Sequence, residues 1–412
     1  MSFPLSVWIA AKSSLELLFR LPRCLLSRRF SDFRPQQSAP KVPRILLVGF
    51  KVLLFMYPLF FLFGLRRIFE KARQKIYQKM LAHFRMHATR INGADPLLEI
   101  GVGELQSHLE NFFDHPAPFV VRNFQQGTVA LREWTTDWFA KNYGDFLCSS
   151  SEVDDHTPRK LSSLLAEKSY VNFLDRIFRV HPELEDHLQV REAATTLSQM
   201  LGLEPSYNEI FLSTKSGSGS ILHCHSVWNF FMQVDGHKKW TLVDPEFSHL
   251  VYSASHALEF GTMQGLHAES SAFPLYEYCP RYEVTLNPGD LLFNPPMWWH
   301  RIENQSASGD EQASIIGVTL KYYDSKKSIT TTYSDPRFNR FNEINCLWRS
   351  LFMFRHAKIV KRKLTKHSAD PSQPECPVQA RVWGHLSDKK GAAHHWRRFR
   401  DICLNDPESN QY

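Results

Sequence analysis

His223 and His225 flank Cys224, and His300 follows far downstream within Asn294-Pro295-Pro296-Met297-Trp298-Trp299-His300. Side chains alternate along a strand with a period of two, so His223 and His225 on a strand point to one face. A third histidine from a neighbouring strand would close a facial set of three ligands. Such a set leaves coordination positions open for substrate, co-substrate or dioxygen, as non-haem iron oxygenases require. The usual facial set is two histidines and one carboxylate, and here His225 stands in the carboxylate position. Cys224, between the two, is expected to face the other side of the sheet as a packed core thiol.

These residues need strands to hold them, and the surrounding sequence supplies strand signals. Tyr207 to Ser213 alternates as a strand, and Lys215-Ser216-Gly217-Ser218-Gly219-Ser220 is the expected turn after it. Asn229 to Val234 and Lys238 to Val243 are apolar runs joined by Asp235-Gly236, a strong hairpin signal. Tyr282 to Leu286 predicts a further strand, with a turn at Asn287-Pro288-Gly289-Asp290. Leu291 to Phe293 then leads into the Trp-Trp-His strand, and Ala313 to Tyr323 closes the region as a long β-rich segment. Short strands between turn residues, with an aromatic-rich interior, predict a double-sheet jelly roll. Of Lys238 and Lys239, alternation turns one inward, and an inward lysine requires an anion. Trp298 and Trp299 are expected in the barrel core and at its lip.

The stretch SILHCHSVWNFFMQVDGHKKWTLVDP, together with NPGDLLFNPPMWWHRIEN, resembles the cupin-like JmjC superfamily of iron(II) and 2-oxoglutarate dioxygenases, and its hydroxylase branch rather than the large chromatin demethylases. Ala117 to Phe124, Trp134, Trp138 and Tyr143-Gly144-Asp145 are similar to the segment preceding the barrel in that family, so the resemblance covers roughly residues 95 to 325. It implies a mainly β fold with flanking helices, a double-stranded β-helix (jelly-roll, cupin/JmjC-like) domain. It also implies that His223 and His300 match the two metal histidines and that His225 sits where the family has Asp or Glu. Lys238 falls where a lysine pairs with the distal carboxylate of 2-oxoglutarate. Ser220 falls where a hydroxyl joins that contact, and Asn229 and Thr319 at pocket-lining positions.

Replacing a ligand carboxylate by imidazole removes a negative charge, so the metal–co-substrate complex becomes neutral instead of anionic. Imidazole still suits iron, copper, nickel and zinc. Three readings follow: a dioxygenase using iron(II) and 2-oxoglutarate, a catalytically inactive cupin-like binding module, and a three-histidine metal oxygenase that does not use 2-oxoglutarate. The substrate class stays open among small molecules, lipids and proteins.

Ile45 to Leu65 is an apolar run with Lys51 as its single charge, flanked by Arg44 and by Arg66-Arg67. About 20 apolar residues cross a bilayer as a helix, so the domain is expected behind an N-terminal membrane helix. Pro58 is tolerated there, and Lys51 can snorkel to the nearer surface; Gly49 and Pro58 also suit a re-entrant hairpin. Basic residues lie on both sides, with a slight excess after the run that places the following domain on the cytosolic or matrix side. The expected organisation is a basic segment over 1–43, a transmembrane helix over 44–67, an amphipathic connector over 68–94, the JmjC/cupin-like domain over 95–335 and a helical, basic extension over 336–412. Residues 1–43 also resemble an organellar presequence.

The net charge of +7 is concentrated in basic segments at the two ends of the chain, which suit anionic headgroups beside a span. No recognition motif accompanies them, which argues against nucleic acid. The seven cysteines have no CxxC spacing and suit a reducing compartment. Arg66 to Met86 predicts an amphipathic helix, and Leu161 to Leu201 a helical region in which His181-Pro182-Glu183-Leu184 marks a helix start.

Overall fold

A computed structural model describes residues 40–50, 52–53, 66–110, 117–148, 159–174, 176–189, 204–224, 228–252, 260–261, 273–295, 298–306 and 312–323. His225 therefore lies outside the described residues, as do residues 1–39, 51, 54–65 and 324–412. Among the described residues no helix is long and apolar enough to cross a membrane; most of the Ile45–Leu65 run falls outside them.

The strands are β1 (Asp95–Pro96), β2 (Leu98–Ile100), β3 (Phe119–Val121), β4 (Leu147–Cys148), β5 (Arg159–Lys160), β6 (Val171–Leu174) and β7 (Glu204–Lys215). They continue with β8 (Gly219–Cys224), β9 (Trp228–Asp235), β10 (His237–Val243), β11 (Phe260–Gly261) and β12 (Tyr282–Leu286). The last three are β13 (Leu291–Asn294), β14 (Trp299–Gln305) and β15 (Gln312–Tyr323). The first sheet has the order β1-β12-β10-β14-β8-β11, the second β2-β3-β13-β9-β15-β7-β6, and β4 pairs with β5 alone. The two large sheets form the expected jelly roll, mainly β with helices on its outside.

Successive strands alternate between the layers: β7 in the second sheet, β8 in the first, β9 in the second, β10 in the first. The Asp235-Gly236 step is therefore not the hairpin that its sequence suggests. It is an arch that carries the chain from one sheet to the other, and β9 pairs with β13 and β15 while β10 pairs with β12 and β14. Gly236 supplies the left-handed turn, with φ at +62°. The Gln233 side-chain amide ties the arch by donating to the carbonyls of Asp235 at 2.6 Å and Gly236 at 3.2 Å. Turn chemistry specifies a reversal, but the need to bury both faces of β9 decides which sheet receives the next strand.

Three apolar clusters follow from this layering. Between the sheets lie Phe231, Trp240, Leu242, Tyr282, Val284, Leu286, Leu292 and Ile302, with the pocket described below. Burying each such side chain stabilises the fold by roughly 1.5–3 kcal/mol. The outer face of the second sheet (Phe119, Phe230, Met232, Phe293, Val318, Leu320) is covered by short helices, among them Val129–Glu133, Thr136–Tyr143, Leu161–Ala166 and Glu183–Leu188. Thr128 and Thr135 cap the first two of these by accepting from the backbone of Leu131 and Trp138. The expected helical region from Leu161 is interrupted by β6, which adds to the edge of β7; Pro182 stands at the start of Glu183–Leu188 as anticipated.

The outer face of the first sheet is covered by α1 (Arg66–His87), the amphipathic helix predicted from Arg66 to Met86. Phe69, Arg73, Tyr77, Met80 and Phe84 recur at helical spacing and are all buried. Tyr77 meets Tyr252 with ring centroids 4.7 Å apart, and Phe84 meets Tyr278 at 5.2 Å. Phe50 and Leu53 are buried in the same cluster, alongside Cys224 and Trp299. Cys224 thus faces away from its histidine neighbour, as strand parity requires.

Candidate metal centre and anion pocket

β8 and β14 are antiparallel neighbours, and their register places His223 directly opposite His300. The two rings lie with centroids 4.2 Å apart. His300 is buried and His223 half-buried. The Nδ1 of His300 sits 3.0 Å from the carbonyl oxygen of Trp298, which can only accept, so Nδ1 carries the proton and Nε2 keeps its lone pair. Asn294 Nδ2 also lies 3.0 Å from that Nδ1, while Asn294 Oδ1 is buried without a hydrogen bond. Turning the amide over would let its oxygen share the Nδ1 proton. Either way the outer nitrogen of the ring is occupied, the arrangement that orients a metal-binding histidine. Burial, then the neighbouring His223, push the His300 pKa well below the usual histidine value, so the ring is neutral. Trp240 stacks on the ring at 5.5 Å and 25°. Among the described residues no three His, Cys, Asp or Glu side chains gather to hold a metal; the third expected ligand, His225, lies outside them.

Period-two alternation alone would turn Ser220 away from His223. A β-bulge corrects this. Between the pairs His300–His223 and Ile302–Ser220, two residues of β8 oppose one of β14. Ser220 therefore lies on the same face as His223, His300 and Ile302. On the adjacent strand that face carries Lys238, Trp240 and Leu242.

Lys238 is wholly buried, whereas Lys239 is half-exposed and paired with Glu283 at 2.8 Å. Lys238 Nζ donates to Asn304 Oδ1 and lies over the rings of Tyr170 at 5.5 Å and Phe231 at 5.8 Å. No carboxylate within ion-pair distance is found for it among the described residues. Burial lowers its pKa to about 7. Gly317 makes room for it: a Cβ there would meet Phe231 Cζ at 2.2 Å and Lys238 Cε at 3.1 Å.

The second sheet faces this lysine with Asn229 and Thr319, both buried. Ser220 Oγ, Asn229 Oδ1 and Thr319 Oγ1 are all buried without a hydrogen-bond partner. Orphaned buried polar atoms are rare and costly. Such atoms occur elsewhere too, at Gln125 Oε1 and Trp240 Nε1, but three of them, with the carboxylate-free Lys238, are the four residues that resemblance places around the co-substrate. Chemically, the pocket offers hydroxyl and ammonium donors to an anion and two imidazoles to a divalent metal, so the residues present fit both groups.

Several features of the site escaped the sequence reading. Asn304 holds Lys238, Asn294 contacts His300, and Tyr170 covers the lysine. Asn304 was legible, because positions 300, 302 and 304 share a face by alternation; Tyr170 lies outside the strands that carry the motif. A further buried pair, Lys321 with Glu209 at 2.5 Å, lines the same interior from the second sheet.

Comparison with known proteins adds a family match. A model of the cupin-like domain matches residues 162–328. HSPB1-associated protein 1 of Mus musculus is 34% identical over 80 residues, covering 18% of this chain and 17% of that protein. JmjC domain-containing protein D of Dictyostelium discoideum is 32% identical over 95 residues, 22% of this chain and 21% of that protein. tRNA wybutosine-synthesizing protein 5 of Mus musculus is 28% identical over 102 residues, 25% of this chain and 32% of that protein. The likeness thus spans well under half the length of these relatives.

Proposed function

We propose, from the premise that this chain belongs to the JmjC/cupin-like superfamily through its cupin-like domain, that it is an oxygenase dependent on iron(II) and 2-oxoglutarate and anchored to a membrane through residues 44–67. The observation that carries the reading is Lys238: a fully buried lysine with a neutral amide partner, on interior strand faces that also carry the unpartnered oxygens of Ser220, Asn229 and Thr319. A protein interior does not retain such a charge for stability alone, because its desolvation is costly. A bound dicarboxylate would satisfy it.

In this reading His223 and His300 hold the metal, with His225 as the third donor. Bound together, iron(II) and 2-oxoglutarate supply the oxidising power to place oxygen from dioxygen onto a substrate C–H bond. Every other contribution comes from the chain. The Lys238 ammonium and the Ser220 hydroxyl would donate hydrogen bonds to the distal carboxylate, with Asn229 and Thr319 lining the rest of the site. His300, protonated on Nδ1, offers Nε2 without having to lose a proton first. Trp240, Phe231 and Ile302 wall the pocket and exclude water, which strengthens each electrostatic contact. The acceptor substrate is a small molecule, a lipid or a protein.

The test is an anaerobic iron(II) titration of the full chain in detergent, with and without 2-oxoglutarate. The expected result is a visible charge-transfer band that needs both components and disappears in Lys238→Ala. Iron binding without the band would favour a three-histidine oxygenase that does not use 2-oxoglutarate. Absence of iron binding, restored by His225→Asp, would identify a binding module that has lost its chemistry.

A further inference from the structure

Lys238 presents a problem that its own position does not solve. A flexible four-carbon stem carrying an uncompensated charge would turn toward any buried acceptor or toward water, so something must hold it while leaving its charge free. The hydrogen bonds around Asn304 do this.

Asn304 is fully buried on β14, and its register partner on β10 is Lys238. Its Oδ1 accepts from Lys238 Nζ, and its Nδ2 donates to Ser218 Oγ at 2.8 Å. Ser218 Oγ in turn donates to the carbonyl of Lys215 at 2.7 Å and lies 2.8 Å from Ser213 Oγ. Because the Lys238 ammonium can only donate, the amide oxygen of Asn304 must face it, and the amide nitrogen is left to donate to Ser218. The Asn304 backbone is clamped on both sides too: its N–H donates to Ser218 O and its carbonyl accepts from Gly217 N, each at 2.8 Å.

We propose that Asn304 is the positioning residue of the anion pocket, a neutral acceptor locked by the Ser213–Ser218 turn that aims the Lys238 ammonium without neutralising it. The charge is thereby reserved for an incoming carboxylate. A carboxylate at position 304 would accept the same hydrogen bond but form an internal ion pair, and the pocket would compete with itself. This rests on the reading of Lys238 as an anion anchor, and adds which residue keeps the anchor available.

The test uses the full chain in detergent, with manganese(II) in place of iron and 2-oxoglutarate as the calorimetric probe, alongside the ligand-free melting temperature. Asn304→Asp is expected to weaken 2-oxoglutarate binding by about 10- to 100-fold while melting at or above the wild-type temperature. Asn304→Leu, which removes the acceptor without adding charge, is expected to weaken binding and also to melt lower. Opposite stability responses with the same loss of binding separate charge reservation from packing. If Asn304→Asp binds 2-oxoglutarate as wild type does, or is too unstable to melt cooperatively, the proposal is overturned, and Lys238→Met losing binding would still leave the anchor reading intact. If the wild type binds no 2-oxoglutarate, the anchor reading fails. The melting temperatures then decide: Asn304→Asp above wild type still supports an uncompensated Lys238, and below it overturns the proposal.

Discussion

Replacing Lys238 with methionine is expected to stabilise the ligand-free protein, and to do so in a pH-dependent way. Methionine keeps most of the stem volume and removes the buried charge. The lysine is protonated up to about 10.5 in the unfolded chain but only up to about 7 in the folded one. Below about pH 7 both states carry the proton, and the full penalty of burying it opposes folding. Between the two values the unfolded state binds more protons, so wild-type stability rises with pH across that window. Each pH unit is worth roughly 1.4 kcal/mol, which makes the full penalty on the order of 5 kcal/mol. Methionine forfeits the bond to Asn304 and leaves Oδ1 orphaned, a cost of about 1–3 kcal/mol. The net expectation is a gain of roughly 2–4 kcal/mol near pH 6 that shrinks to about zero near pH 9, where the remaining lysine penalty is only about 2 kcal/mol. Urea unfolding of ligand-free wild type and variant at both pH values measures this, followed by tryptophan fluorescence. A variant less stable than wild type near pH 6, or a gap independent of pH, would refute the idea that the ammonium is held at a cost to the fold.

Two other perturbations test the pocket from its other wall. Gly317→Ala inserts a methyl against Phe231 and the Lys238 stem, so a destabilisation of about 1–3 kcal/mol is expected in denaturant unfolding, with weaker 2-oxoglutarate binding by calorimetry. Glu209→Gln leaves the buried Lys321 without its carboxylate and should cost about 3–5 kcal/mol; adding Lys321→Met should recover most of that loss, and no recovery would mean the pair is not the source.

Much of this arrangement is written locally in the chain. Alternation alone separates Lys238 from Lys239 and Cys224 from His223, because a strand has only two faces. That His223 and His300 belong together came from the family resemblance, because parity says nothing about which strand lies beside β8. Two things were not readable, for a common reason. The Asp235-Gly236 step has the chemistry of a hairpin, and nothing local reveals that its strands belong to different layers. Ser220 lands on the pocket face only because of the bulge between it and His223, a defect visible only once β14 is laid alongside β8. Local sequence encodes parity and turning, whereas the partner of each strand is decided by distant segments.

That arrangement has a consequence for how the protein comes into being. From β7 onward, no strand among those described is hydrogen-bonded to the one that follows it. Each ladder must wait for a segment made later, and closing such long loops is what slows folding in β-rich proteins. The last strand, β15, lies between β9 and β7 and completes the second sheet. Until it is synthesised, two long apolar strands have open edges, which are templates for aggregation. The same delay postpones the pocket, since Thr319 and Gly317 arrive with β15. The interior that carries Lys238 and His300 therefore closes only when residues 312–323 have been made, and the edges of β7 and β9 stay open until then.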